Sequence, residues 1–309
     1  MAIPNTDRVR FSRNMLTQGS TAKRAVGVST IIQLNNTLNP ESEHDWGEPD
    51  VANICRPNNK VSCAACCGIY NVIDASAELM THEMRRRSSL FARVTRHVDD
   101  MVNFKAFISE TSRLRQLDPD IHVCEFIGFL DPHELIVGCM LHPCSTGNGG
   151  TDFRGLCHYG AMACKAFYCP AWKQLNQGMR KTVAMIVPDW RAYGLIITDL
   201  AYLSGMTRLV EGATGRSPGP LMMTDPKIKQ QLSNLLMLKV NWPFASDTGI
   251  RQSNYYLTGP LEKAQDQDPL EMVLKSLSFT YDRDFTGKES SQLIMAEIDS
   301  LARLLSHFG

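Results

Sequence analysis

The sequence predicts a mostly α-helical chain with a small, irregular Cys-rich metal-binding region and one short β-hairpin. Three observations predict it. The first is cysteine distribution: all ten lie between Cys55 and Cys169, and the 140 residues that follow contain none. The second is the helical spacing of apolar residues beyond position 189, opened repeatedly by Asp or Asp-Pro. The third is a pair of β-branched and aromatic segments, 122–129 and 134–141, around Asp131-Pro132-His133. The chain divides accordingly into a polar, loosely ordered arm over 1–54, a Cys-rich metal-binding region over 55–172, and a helical region over 173–309 packed on it.

The elements follow in order. The arm is rich in Asn, Thr, Ser and Pro, has no sustained period, and ends at the turn Cys55-Arg56-Pro57-Asn58-Asn59. Asp74 or Ser76 caps a helix through Leu79, Met80 and Met84 towards Leu90 and Val94. Met101, Phe104, Phe107 and Ile108 mark a second helix, which Pro119 stops. The hairpin comes next. Asp189 caps a long apolar helix through Leu195, Leu200 and Leu209, which the stretch from Gly212 to Gly219 ends. Asp225-Pro226 opens another through Leu232 and Leu238, broken by Asn241-Trp242-Pro243, and Asp268-Pro269 opens a short one through Leu274. Leu293, Ile294, Ile298, Leu301, Leu304 and Leu305 make an amphipathic C-terminal helix.

Composition narrows the function. Lys and Arg total 32 and so do Asp and Glu, which gives no electrostatic reason to expect nucleic acid as a partner. The opening residues lack the apolar stretch of a secretory signal. The most apolar segment, Tyr193 to Met206, is about half a membrane span and carries Asp199. The expectation is a cytoplasmic protein with no membrane partner. In a reducing compartment, clustered thiols imply a metal rather than a disulfide framework.

The cysteines fall into three groups: Cys55, Cys63, Cys66 and Cys67; Cys124, Cys139 and Cys144; Cys157, Cys164 and Cys169. Cys63 and Cys66 have the C-x-x-C spacing that reaches one metal from a single turn. The side chains of Cys66 and Cys67, being neighbours, diverge, so the two are expected to serve different centres or one polynuclear centre. On one continuous helix Cys157 and Cys164 would be roughly 10 Å apart, so either the helix breaks between them or each faces its own centre. The expected ligands are Cys63, Cys66, Cys67, Cys124, Cys139, Cys157, Cys164 and Cys169. The weakest candidates are Cys55, in a polar arm, and Cys144, beside the Ser145 to Gly150 loop. His122, His142 and His158 each lie within three residues of a candidate cysteine and read as supporting or surface residues. The metal is zinc or an iron–sulfur cluster, and spacing alone does not choose between them.

These residues resemble the YkgJ-type cysteine-cluster proteins, a family taken to chelate zinc or iron through eight cysteines and a C-x-x-C-x-x-C-C opening. Cys63, Cys66 and Cys67 match the last three cysteines of that opening. Cys124-Glu125-Phe126 matches its Cys–aromatic strand, and Cys139-Met140-Leu141-His142-Pro143 its Cys–aliphatic–His element. Cys157, Cys164 and Cys169 would supply the closing cysteines. The first opening position is held by Lys60, so either Cys55 replaces that ligand or the site has one fewer. The resemblance covers residues 55–172 and implies a metal-chelating region; a mainly structural metal is expected because no open-site trio of a catalytic zinc can be picked from the sequence. In its paired cysteines the chain also resembles flagellin lysine N-methylase, which implies as an alternative an iron–sulfur enzyme modifying a protein or small molecule. A zinc-stabilised interaction module, with the helical region as its partner surface, is the third reading. The CCG module of heterodisulfide-reductase subunits shares Cys66-Cys67-Gly68, but its later C-x-x-C is missing here.

The remaining features have plainer readings. Arg85-Arg86-Arg87 reads as a solvated helix surface. The segment Gly212 to Ser217 lacks the Gly-Lys-Ser/Thr ending of a phosphate loop and reads as a helix stop. No Gly-x-Ser-x-Gly or His-Glu-x-x-His occurs, and no catalytic trio can be assigned. Trp172, Trp190 and Trp242 are expected to pack the helical region against the metal region.

Overall fold

The structure is a computed structural model that describes residues 53–245 and 266–306. The expected arm over 1–54 lies almost entirely outside the described residues. The chain is mostly helical, with one two-stranded antiparallel sheet among the described residues.

Ser76 opens α1 (Ala77–Phe91) by accepting the Leu79 N–H, and Asp74 in turn accepts the Ser76 N–H. Its buried face carries Met80, Met84 and Phe91, with Glu83 and Arg87 between them. Arg87 is 1% exposed, so the solvated-surface reading of the arginine run fails at this position. Its guanidinium pairs with Glu83 at 3.1 Å and donates to the Ser112 hydroxyl and to the Cys124 carbonyl at 2.8 Å. A buried cation survives only with such partners. Arg85 does stay at the surface, bound to Glu134. The second helix, α2 (Val98–Thr111), ends at Ser112, well before Pro119. Ser112 is extended because its hydroxyl is held by Arg87 and accepts the Leu114 N–H.

The hairpin pairs β1 (Ile127–Phe129) with β2 (Val137–Cys139), Gly128 opposite Gly138. Both strands are shorter than the segments that predict them. Asp131 accepts N–H groups from His133, Leu135 and Ile136, which turns 131–136 into a closed loop. On the far side, the Ser62 hydroxyl both donates to and accepts from the Val137 backbone at 2.8 Å, tying the Cys63 segment to β2.

Short elements carry the last cysteines: a 3-10 turn at Arg154–Leu156, α3 (Gly160–Ala166) and α4 (Pro170–Gln174). In the helical region α5 (Gln177–Ile186) is an addition to the expected set, capped by Asn176. The single long helix expected after Asp189 is two: α6 (Trp190–Ile197) and α7 (Leu200–Thr214). Asp199 separates them by capping α7 at the Tyr202 N–H. Then come α8 (Pro226–Met237), α9 (Pro269–Tyr281), longer than its expected end at Leu274, and α10 (Lys288–Ser306). Asp225 and Asp268 cap α8 and α9 with Pro at the first turn, as their sequences predict.

Asp199 has a second task. Its carboxylate binds the Lys239 ammonium, both groups being completely buried, and Lys239 also donates to Ser276 and Thr280. Burial pushes the Asp199 carboxyl up, but Lys239 and the Ser276 hydroxyl outweigh it and hold it below the usual carboxylate range. The main core surrounds this pair and runs from Ile54 to Leu305, through both the Cys-rich and helical regions. Tyr193 of α6 joins the two by donating to the Ile54 carbonyl at 2.9 Å. A smaller core under α1, α2 and the hairpin gathers Phe91, Phe104 and Phe126. Trp190 packs edge-on against Phe129 and thus joins the regions as expected, whereas Trp242 packs on Phe244 and Phe285 within the helical region. Among the described residues no helix is long and apolar enough to cross a membrane.

Candidate metal centre

The two cores meet at the first cysteine knot. Residues Ala65–Cys67 form one 3-10 turn, closed by the Cys67 and Gly68 N–H groups on the Ala64 and Ala65 carbonyls. Gly68 has φ +78°, and a Cβ there would stand 2.0 Å from the His122 carbonyl oxygen. Only glycine lets this turn lie so close to the next cysteine segment. The Cys124 N–H then donates to the Cys67 carbonyl at 2.9 Å, and the Cys63 N–H to the Cys55 carbonyl at 2.9 Å. Backbone hydrogen bonds therefore draw three separate cysteine segments together.

Packing sorts the thiols. Cys63 belongs to the main core with Cys55 and Cys169 against it, while Cys124 and Cys157 belong to the smaller core with Cys139 against it. Cys67 touches both cores. Electrostatics sorts them the same way. Burial, then the charges of Cys66, Cys63 and Cys169, pushes the Cys55 thiol well up. Burial, then the charge of Cys139, does the same to Cys124. The result is one set of Cys55, Cys63, Cys66 and Cys169, and another of Cys67, Cys124, Cys139, Cys157 and Cys164. Cys66 stands at the boundary, since its charge also acts on Cys67 and Cys139.

Seven cysteines line one cavity of about 340 Å³: Cys63, Cys66, Cys67, Cys124, Cys139, Cys157 and Cys164. Of the eight expected ligands only Cys169 lies outside its wall, and it neighbours Cys55 and Cys63 instead. Cys55, a weak candidate by sequence, joins the first set. Cys144 is exposed and lines a different, small depression. His142 lies in the cavity wall, 5% exposed, and its Nδ1 accepts the Cys144 N–H at 3.2 Å. His122 and His158 stack with ring centroids 4.1 Å apart, and His122 binds Glu125 at 3.2 Å. The stack joins the Cys124 segment to the Cys157 segment.

The thiol pKa values follow the environment. Burial raises Cys139 to about 12 and Cys169 to about 11. Cys157 departs from this pattern, lowered to about 7 by its hydrogen bond with Cys164, with Lys105 adding a smaller pull. In the adjacent pair, hydrogen bonding lowers Cys66 and raises Cys67. Arg154, buried and bound to Asp152, lines the cavity and favours the Cys139 thiolate. Sequence motifs do not reveal Arg154, nor Tyr159 and Phe167 at the cavity wall. They become visible only once 154–167 wraps back over the hairpin.

Among the described residues, no three His, Cys, Asp or Glu side chains close on a ready-made metal position. All ten cysteines are thiols, and the seven in the wall face an open space. The donor set is nonetheless the soft thiolate chemistry that zinc and iron–sulfur clusters take. Comparison with known proteins finds no matching family model, no similar curated protein and no similar solved structure. The resemblance to cysteine-cluster proteins therefore rests on the cysteine pattern alone.

Proposed function

We propose that this is a cytoplasmic metal-binding protein whose two thiol sets hold zinc or iron–sulfur centres, and that the metal chiefly organises the Cys-rich region. The observation that carries the reading is the partition of nine thiols into two adjoining sets that separate at Cys66 and Cys67. Buried thiols with mutually raised pKa values cannot ionise together without a cation among them. A bound metal supplies that cation and displaces the protons. Cys55, Cys63, Cys66 and Cys169 would hold one centre, with Cys67, Cys124, Cys139 and Cys157 at the other. Arg154 would neutralise excess negative charge at the second.

The cavity of about 340 Å³ is lined by thiols of both sets, Cys63 and Cys66 together with Cys67, Cys124, Cys139, Cys157 and Cys164, and has room for a polynuclear cluster as well as for single zinc ions. The same space favours a second reading. A cavity rimmed by the exposed Tyr159 and Phe167 leaves room for a substrate beside a cluster, as an iron–sulfur enzyme requires. Anaerobic purification followed by elemental analysis and a visible spectrum tests the proposal. Stoichiometric iron with a broad brown absorption supports a cluster, and colourless protein with stoichiometric zinc supports the structural zinc form. Metal-free protein that stays folded defeats both.

A further inference from the structure

Two of the cavity thiols stand apart from the rest. The Sγ atoms of Cys157 and Cys164 are 3.1 Å apart. Two thiolates bound to one tetrahedral zinc at about 2.3 Å would be roughly 3.8 Å apart. The pair is thus closer than co-ligands sit, and about 1 Å from a disulfide, whose bond is near 2.05 Å. The set to which they belong also has five thiols, one more than four-coordination uses.

The backbone around them can supply the missing ångström. Cys157 ends a 3-10 turn, Gly160 at φ +79° breaks the chain, and Cys164 lies on α3. The helix expected to separate the pair by two turns is therefore interrupted. None of the seven residues of α3 is buried, and Met162 is 62% exposed. A helix anchored by no core side chain shifts by an ångström at small cost. Cys164 is exposed and within reach of a small molecule, whereas Cys157 is 8% exposed and aimed at it.

We propose that Cys157 and Cys164 are a redox pair that closes reversibly to a disulfide by exchange with a low-molecular-weight disulfide such as oxidised glutathione. The exposed Cys164 sulfur attacks one sulfur of the small disulfide as its proton passes through the neighbouring Cys157 to the departing thiolate, which leaves as one thiol, and a mixed disulfide remains. Cys157 thiolate then attacks the Cys164 sulfur and expels the second thiol. Two protein thiols are oxidised, one disulfide is reduced to two thiols, and the two protons go to the released thiolates. The redox pair is inferred from the 3.1 Å approach of its two sulfurs and from no metal ligation. Its consequence, that closure takes Cys157 out of the second centre and releases that centre's metal, rests on the function proposed above.

Trypsin offers a direct readout, because Arg154 and Lys165 bound one peptide that contains both cysteines. Full-length protein, reduced and treated with chelator, is incubated anaerobically with oxidised glutathione and digested without reductant. The expected result is that peptide 155–165 becomes lighter by two hydrogens ahead of any other cysteine pair, and recovers its mass with dithiothreitol. In C157S the same peptide should instead retain one glutathione on Cys164. A peptide that stays reduced while other cysteines oxidise, or one that keeps glutathione in the unsubstituted protein, overturns the proposal. Zinc and iron titrations of the reduced protein are run beside it. Disulfide formation in a protein that binds neither metal defeats the metal reading alone. Metal binding without the disulfide defeats the redox pair alone.

Discussion

The helical region and the Cys-rich region both bury groups that water would otherwise stabilise, and they solve the problem in opposite ways. Around Lys239 the chain supplies every partner: Asp199, Ser276 and Thr280 arrive from α9 and the α6–α7 junction, and the network is closed. In the Cys-rich region nine thiols, seven of them lining the cavity, are brought together by backbone hydrogen bonds and glycine geometry, yet they mostly raise one another's pKa values. A region complete in itself needs no ligand. A region that concentrates thiols in this way is the one the proposed metal would complete.

This contrast can be broken at either end. Stripping metal with a chelator should have the largest effect, because metal binding is coupled to folding of its ligands. Near-ultraviolet circular dichroism and hydrogen exchange should show segments 53–72 and 120–172 loosening while α7 to α10 stay protected. Uniform loss across both regions would remove the distinction. Next in size, Lys239→Met should cost about 3–5 kcal/mol in chemical denaturation by leaving Asp199 buried and unpaired. The double variant with Asp199→Leu should recover much of that loss, and metal content per folded molecule should be unchanged in both.

Single ligand losses come third. Cys63→Ser and Cys139→Ser should each remove about half of the bound metal, from different centres, while Cys144→Ser removes none. Equal, complete loss from either variant would mean one shared centre. The smallest effect concerns acid. Because the folded Asp199 carboxyl lies below its unfolded value, its contribution is present in full above about pH 4 and is lost as pH falls through the folded pKa. Asp199→Asn should flatten that part of the stability–pH curve, and an unchanged curve would show that the pair contributes nothing there.

How much of this was legible in the sequence depends on the range of the interaction. Helix starts were legible because capping is local: Ser76, Asp189, Asp225 and Asp268 all cap the helices their neighbours predict. Helix ends and splits were less so, since Ser112 is held by Arg87 of another helix and Asp199 by Lys239 forty residues away. At the site, the divergence of Cys66 and Cys67 could be read from the backbone, because adjacent side chains must point apart. The membership of Cys55 could not. It depends on the hydrogen bond from the Cys63 N–H and on Tyr193, which anchors Ile54 from across the main core. The burial of Arg87 was hidden for the same reason, its partners Ser112 and the Cys124 carbonyl being distant in sequence.

Counting reactive thiols in the native protein tests the central claim most directly. Anaerobically purified protein is exposed to a chromogenic disulfide reagent with and without prior chelation. If eight thiols hold metal while Cys144 and the spare Cys164 stand outside, two thiols react at once, and all ten react after chelation. Ten thiols reacting freely in the folded protein without chelator would contradict the account.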